Sequence, residues 1–310
     1  MGSLAYDDVQ TPFERRRRVL GGAACYFSFA ASLYAPVSLV AVVGDDFDEA
    51  DIERLRARGV AVAGIERRQG RSFHWSGRYD YELAGAETLT TELGVFGGWR
   101  PRVPDALADS DVVFLANIDP EIQIETLGQV RAPKFVALDS MNFWIESKRE
   151  ALAEVMSRVD LVRLNEAEVR QFGRTFSVLR GARQVLELGP RALVVKRGEY
   201  GAVLFTREGS FWAPAFPLEK IQDPTGAGDA FAGGLLGYVA SCERADDTVL
   251  RRAVIHGTVC ASFAVERFSV EGIEALTRER AAQRYRDLRE LVTIGAEAIG
   301  DADPFKPADS

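Results

Sequence analysis

The residues Asp223–Gly234 read DPTGAGDAFAGG, and the chain runs on through LLGYVA in small and apolar residues. Gly226-Ala227-Gly228 carries little side-chain bulk and opens directly into that helical pattern. Backbone N–H groups left free at a helix start, added to the helix dipole, make a site suited to phosphate. Asp229 follows in the first turn. A carboxylate beside an anion site opposes binding, so it needs a reason, and accepting the proton of an attacking hydroxyl supplies one. The competing reading is an ordinary helix cap, which Asp often provides. The twelve residues taken physically leave both open.

Such a site needs a scaffold, and the rest of the chain describes one. Short apolar runs at Val37–Gly44, Asp111–Asn117, Phe135–Asp139, Leu161–Asn165 and Ala192–Lys196 are continuous, not alternating. That is the pattern of strands buried on both faces of a parallel sheet. Helical patterns lie between or beside them at Ala23–Tyr34, Glu49–Arg58, Glu146–Arg158 and Ser177–Leu188. The alternation predicts an α/β fold, a central mainly parallel sheet with helices on both faces. Ligands in such sheets bind beyond the carboxyl ends of the strands. Those ends carry Asp45, Asn117, Asp139 with Asn142, Asn165 and Lys196, a ring of polar groups.

One stretch breaks the pattern. Arg71–Phe96 alternates aromatic and polar residues, with Phe73, Trp75, Tyr79 and Tyr81. Period two predicts a small antiparallel sheet inserted in the main domain, with Phe73 and Trp75 on one face and Tyr79 and Tyr81 likewise paired. The expected organisation is one domain over 1–300 with this β lid around 71–96, and a flexible tail over 301–310, where Pro and Asp are frequent. The run Arg15–Arg18 reads as a solvated loop, and one of its arginines could meet an anionic substrate.

Bulk composition narrows the classes. The chain has 310 residues, with 38 Lys and Arg against 46 Asp and Glu, a formal net charge of −8. That argues against nucleic acid or an anionic membrane as the main partner. The three cysteines form no CxxC pair, no apolar stretch reaches a transmembrane length, and a cytoplasmic protein is expected. No GxxxxGK[ST] occurs, which excludes a P-loop kinase, and no His/Cys spacing suits zinc.

Taken whole, DPTGAGDAFAGG resembles the C-terminal signature of the ribokinase-like (PfkB) carbohydrate kinases. The resemblance implies ATP-dependent phosphoryl transfer to an alcohol, with Asp229 as general base and the backbone of Gly226, Ala227 and Gly228 as anion hole. It places Asp223 and Thr225 near a potassium ion. Further matches occur in the family's order. Asp7 corresponds to the substrate-hydroxyl aspartate, and Gly21-Gly22 to the first glycine signature, where backbone lies against the sugar. Val43-Gly44-Asp45-Asp46-Phe47 matches a strand-to-helix turn. Asn165 and Glu168 match an NxxE motif that organises magnesium, and Lys196 with Gly198 the nucleotide side. Asn117 is a further substrate-side candidate. Ala23 and Tyr26 replace polar residues that ribokinase shows, which argues against ribose as acceptor. Family members carry several apolar residues before the Gly2-Ser3 equivalent and this chain only Met1, so the central strand is very short or the start trimmed.

The resemblance thus implies a sugar or polyol kinase using ATP and Mg2+, with a nucleoside kinase as the alternative and a lid-mediated homodimer as the assembly. A ligand-binding sensor that kept the fold and lost catalysis would lack the base or NxxE, and both are present.

Overall fold

The computed structural model describes residues 1–83 and 85–293. The proposed tail over 301–310 lies outside the described residues. In chain order the first strands are β1 (Ala5–Gln10) and β2 (Arg15–Gly21), an antiparallel hairpin, followed by the parallel pair β3 (Val37–Val43) and β4 (Val60–Arg67). Then come β5 (Phe73–Arg78) and β6 (Glu87–Glu92). The main sheet follows with β7 (Val112–Leu115), β8 (Phe135–Asp139), β9 (Leu161–Asn165), β10 (Ala192–Lys196), β11 (Ala202–Thr206) and β12 (Gly209–Ala213). Its order is β12-β11-β10-β9-β8-β7, parallel from β7 to β10 and antiparallel at the β11–β12 edge.

Strand alternation divides the core into two layers. Phe135, Ala137, Leu161, Ala192 and Val194 point into a cluster shared with the Ala23–Ala31, Ala227–Ala240 and Asp247–Ala264 helices. Val136, Leu138, Val162, Leu164, Leu193 and Val195 point the opposite way, against the Arg149–Met156, Glu166–Gly173 and Val178–Glu187 helices. The expected sheet with helices on both faces is therefore present. The Ala227–Ala240 helix owes its position to Gly233 and Gly234. A Cβ on either would lie 2.4 Å from the Phe27 carbonyl or 2.6 Å from that of His256, so the helix packs backbone to backbone between its neighbours. A helix clamped in this way makes a rigid platform for whatever its first turn carries.

Several expectations are corrected. The first strand does not enter the main sheet, because β1 pairs with β2 and with β5 in a four-stranded lid sheet of order β2-β1-β5-β6. The lid thus draws half its strands from residues 5–21, and its central β1–β5 pair is parallel, so it is mixed and not antiparallel. Only Met1 and Gly2 stand between β7 and β3: Ala116 N–H donates to the Met1 carbonyl at 3.0 Å, and Gly2 N–H to Val40 at 3.3 Å. Beyond them lies an apolar groove of about 340 Å³ between Val37–Leu39 and Val112–Phe114. Arg15–Arg18, expected as a loop, is strand, since ladder hydrogen bonds need no apolar side chains at a sheet edge. The helix expected over Glu146–Arg158 is two, Asn142–Ser147 and Arg149–Met156, separated at Lys148 (φ −138°). Among the described residues no helix is long and apolar enough to cross a membrane.

Candidate active site

The glycine turn is built as its composition demands. Gly226 takes φ 75°, the left-handed region that favours glycine, and N-caps the Ala227–Ala240 helix without a side-chain cap. The Tyr26 ring lies 2.4 Å from where a Cβ on Gly226 would stand, so glycine is required there for space as well as for conformation. Ala227 N–H, expected in the anion hole, is instead spent on the Pro224 carbonyl at 3.2 Å. Among the described residues no acceptor meets the N–H groups of Gly226, Gly228 and Asp229, which leaves donors unspent at the positive end of the helix. The helix-cap reading of Asp229 finds no support, because the N-cap position is Gly226 and Asp229 lies inside the first turn. The turn is tied from behind: Asp223 is fully buried and accepts from Thr225 N–H at 2.9 Å and from Ser269 N–H at 3.1 Å.

Asp7, on β1, is 4% exposed and lies against Gly21, whose Cβ would sit 1.9 Å from Oδ2. Burial, then the charges of Asp223 and Asp229, push its carboxyl up to about 8. Asp229 is pushed up to about 6, first by burial and then by Asp139, while Arg163 and Lys196 pull it down. Burial raises Asp223 as well. The charges of Asp223 and Asp229 thus both bear on the Asp7 carboxyl in low dielectric, where a further negative charge is costly. Tyr26 is 1% exposed, and its hydroxyl has no partner among the described residues. Burial, followed by Asp223 and Asp7, raises it far above its ordinary range.

The opposite wall is cationic. Lys196 Nζ, at the end of β10, lies 3.1 Å from Asp139 Oδ1. Arg163, on β9, is fully buried, pairs with Asp139 at 3.1 Å and donates from Nη2 to the Gly228 carbonyl at 2.5 Å. A Cβ on Gly228 would stand 3.8 Å from Arg163 Nη2 and 4.0 Å from Lys196 Nζ, so both cations flank the turn. Asn165 and Glu168 form a reciprocal capping box: Glu168 N–H donates to Asn165 Oδ1 at 2.8 Å, and Asn165 N–H to Glu168 Oε2 at 2.6 Å. Burial raises the Glu168 carboxyl, while Lys196 pulls it down.

The expected residues therefore fall into groups. Asp7, Gly21, Gly22, Tyr26, Asp223, Thr225, Gly226, Ala227, Gly228 and Asp229 share one centre, and Asn165, Glu168 and Lys196 adjoin it through Asp139 and Arg163. Gly198 (φ 57°) opens the turn after β10. Asn117 is engaged elsewhere, accepting from Trp144 Nε1 at 3.1 Å and contacting Met141 Sδ.

The aromatic pairs divide. Phe73 and Trp75 stand opposite Ala5 and Asp7, and so on the Asp7 face of the lid. The Trp75 ring lies over Gly77, 2.1 Å from where its Cβ would be. Tyr79 and Tyr81 do not pair, because the strand ends at Arg78. Tyr79 is buried, with its hydroxyl 3.1 Å from Thr225 Oγ1, which latches the lid to the glycine turn, whereas Tyr81 is 81% exposed. Sequence reading missed Arg163, although a charge inside the apolar run LVRLN is itself a signal, and missed Ser269, for which no local signal exists.

The model of the pfkB family carbohydrate kinases matches residues 2–275. The chain is 33% identical to the cytidine kinase of Thermococcus kodakarensis over 248 residues, 77% of this chain and 87% of that one. It is 27% identical to the 2-dehydro-3-deoxygluconokinase of Thermoproteus tenax over 232 residues, 69% of this chain and 71% of that one. A putative ribokinase II from E. coli, solved with ATP and Mg2+, superposes with a TM-score of 0.75 at 21% identity, covering 92% of this chain and 97% of that one.

Proposed function

This chain belongs to the pfkB carbohydrate kinase family, and from that premise we propose that it transfers the γ-phosphoryl of ATP to a hydroxyl of a nucleoside's sugar, with Asp229 as general base. The observation that carries the chemistry is the juxtaposition of unspent N–H donors, a left-handed glycine and a carboxyl held at about 6 in one helix turn. The acceptor hydroxyl gives its proton to Asp229 as its oxygen attacks the γ-phosphorus, whose bond to the β–γ bridging oxygen breaks so that ADP leaves. The N–H groups of Gly226, Gly228 and Asp229, with Lys196 beside them, hold the equatorial oxygens of the transferring group. Asp7 accepts a hydrogen bond from a second hydroxyl and fixes the sugar's orientation. A carboxyl at about 6 is largely ionised at neutral pH and still basic enough to take a proton.

Magnesium fits the nucleotide side. Glu168 spends Oε2 on the Asn165 N–H, and among the described residues Oε1 accepts no hydrogen bond. No group of three His, Cys, Asp or Glu that could hold a metal occurs among the described residues. Glu168 would hold the ion as its one protein carboxylate, with phosphate oxygens as further ligands. When bound, it neutralises charge on the phosphates. A potassium ion fits less directly, because both Asp223 oxygens already accept backbone N–H groups, leaving loop carbonyls and Thr225 Oγ1 as its donors.

The nucleoside reading rests on Trp75, a flat ring on the Asp7 face of the lid, suited to stacking on a base. The extensive match to a cytidine kinase supports it. A free sugar or polyol is the second reading, supported by the 27% identity to a sugar-acid kinase, since a sugar's apolar face can also pack on Trp75. An acceptor panel of nucleosides, hexoses, sugar acids and polyols, read by ADP release, separates the two. Asp229→Asn should keep nucleotide binding and lose about 10²–10⁴-fold in turnover. An active Asp229→Asn enzyme would remove the mechanism.

A further inference from the structure

We infer that Arg163 is a positioning residue for phosphoryl transfer: paired to Asp139 beneath the glycine turn, it aims the donors of the anion hole and the base that follows them. The inference rests on the reading of the site as a kinase centre. Arg163 stands in the middle of an apolar parallel strand, and its neighbours Leu161, Val162 and Leu164 are fully buried. By strand alternation it points, with Leu161, toward the Ala227–Ala240 helix, where its guanidinium lies between the rings of Phe114 and Phe231 at 5.8 and 5.6 Å.

The bond it makes is specific. Nη2 donates at 2.5 Å to the Gly228 carbonyl, and that carbonyl shares a peptide plane with the Asp229 N–H. In a trans peptide the two point in opposite directions, so anchoring the carbonyl from below turns the Asp229 N–H outward, toward a phosphate. Nε finds no acceptor among the described residues, and Nη1 meets Asp139 only as an ion pair at 3.1 Å.

Stability does not account for such a residue. A buried pair of this kind rarely stabilises more than packed apolar side chains of the same volume would. A buried charge with an unmet donor is a cost, and here it falls against the one turn that must hold its shape during reaction. The charged groups facing Asp229 are Asp139 from β8, Arg163 from β9, Lys196 from β10 and Asp7 from β1. Arg163 is the one of the four that also bonds the turn's backbone.

The test compares wild type with Arg163→Leu, Arg163→Lys and the double variant Arg163→Leu/Asp139→Asn, which removes both charges of the buried pair if the single change disturbs folding. Two readouts are taken: kcat and KM for ATP and for the best acceptor, and the titration of the Asp229 carboxyl by ¹³C NMR, assigned through Asp229→Asn. Arg163→Leu should lower kcat about 10- to 100-fold with KM for ATP changed less than threefold, the effect of a misaimed donor set. Its Asp229 midpoint should rise, since a neighbouring positive charge is gone. Arg163→Lys should bring the midpoint back toward that of wild type without restoring kcat, because a flexible ammonium lacks the rigid planar fork that holds Asp139 and the Gly228 carbonyl in fixed geometry. In the double variant kcat should stay low while the midpoint returns. An unmoved midpoint with kcat within twofold of wild type overturns the inference, as does a loss confined to thermal stability. A wild type that phosphorylates nothing in the panel overturns the kinase reading instead, and the carboxyl titration then still decides whether Arg163 acts on Asp229.

Discussion

Replacing Asp7 by Asn should make this protein more stable and leave it inactive. Asp7 is almost wholly buried, and its carboxyl is pushed from 3.8 up to about 8 by burial and by Asp223 and Asp229. A folded-state value above the unfolded one means that the folded chain holds a proton the unfolded chain has released. The stability linked to that proton is complete below about pH 4 and is lost as pH rises toward 8. One pH unit is worth about 1.4 kcal/mol, so the interval from 3.8 to neutrality, about three units, sets a ceiling of ~4 kcal/mol on the cost at pH 7. Asn keeps the side chain's shape and an oxygen for the Gly22 N–H, and it carries no charge. Urea midpoints of wild type and Asp7→Asn measured from pH 4 to pH 9 should coincide at the acid end and separate steadily up to pH 8, with the variant higher. A residual decline between pH 4 and 6 should persist in the variant, because Asp229, at about 6, titrates with the same sign. Parallel curves would refute the reasoning, for they would mean that Asp7 is as comfortable folded as unfolded.

Three further outcomes are expected. Gly226→Ala forces a Cβ into the Tyr26 ring at φ 75°, and should cost about 1–3 kcal/mol in denaturant unfolding and abolish turnover, while the same change at Gly85, with open space around it, should do neither. Trp75→Ala should raise the acceptor KM about tenfold or more with KM for ATP unchanged, and an unaltered acceptor KM would detach the lid from substrate binding. The lid's outer strand β6 is exposed along its whole length, with Leu89 and the adjacent Leu93 about half exposed, so light scattering should report a dimer that Leu89→Lys dissociates.

How much of this was legible depended on how local the cause is. The strands Phe135–Asp139, Leu161–Asn165 and Ala192–Lys196 run over the very residues their continuous apolar pattern marked, because a strand buried on both faces tolerates few polar side chains. The capping box is legible for a similar reason: Asn165 and Glu168 meet each other's backbone within a single turn. The lid was half read. Its Phe73–Arg78 strand shows the alternation of a two-faced strand, but nothing in the residues from Ala5 to Gly21 says whether they join the main sheet or leave it. That is decided by the pairing of Ala5 with Phe73 and Asp7 with Trp75, nearly seventy residues away. Tyr79 and Tyr81 show the limit of periodicity itself, which holds only while the strand lasts.

The electrostatics of the site lie still further from the sequence. Each charge can be placed locally, Asp139 at the end of β8, Lys196 at the end of β10, Asp229 one turn into a helix. Which charges oppose which follows from sheet order, because β8, β9 and β10 are neighbours. Adjacency sets Asp139 opposite Arg163 and brings Lys196, two residues further along β10 than Arg163's own partner Val194, to Asp139 as well, and the Ala227–Ala240 helix lays its first turn over the three. β1, carried off into the lid, brings Asp7 to the same turn beside Asp223 and Asp229. Carboxyls gathered on one side and cations on the other are what a reaction needs if it takes a proton from an alcohol and gives negative charge to a phosphoryl group. The lid strand that supplies Asp7 is paired with β5, which leads to Tyr79, whose hydroxyl meets Thr225, so the lid is tied to the glycine turn beside the strand that carries Asp7. Under the proposed mechanism, a lid that opened would carry Asp7 away with it, and the phosphoryl group would be shielded from water only while Asp7 stands beside the acceptor.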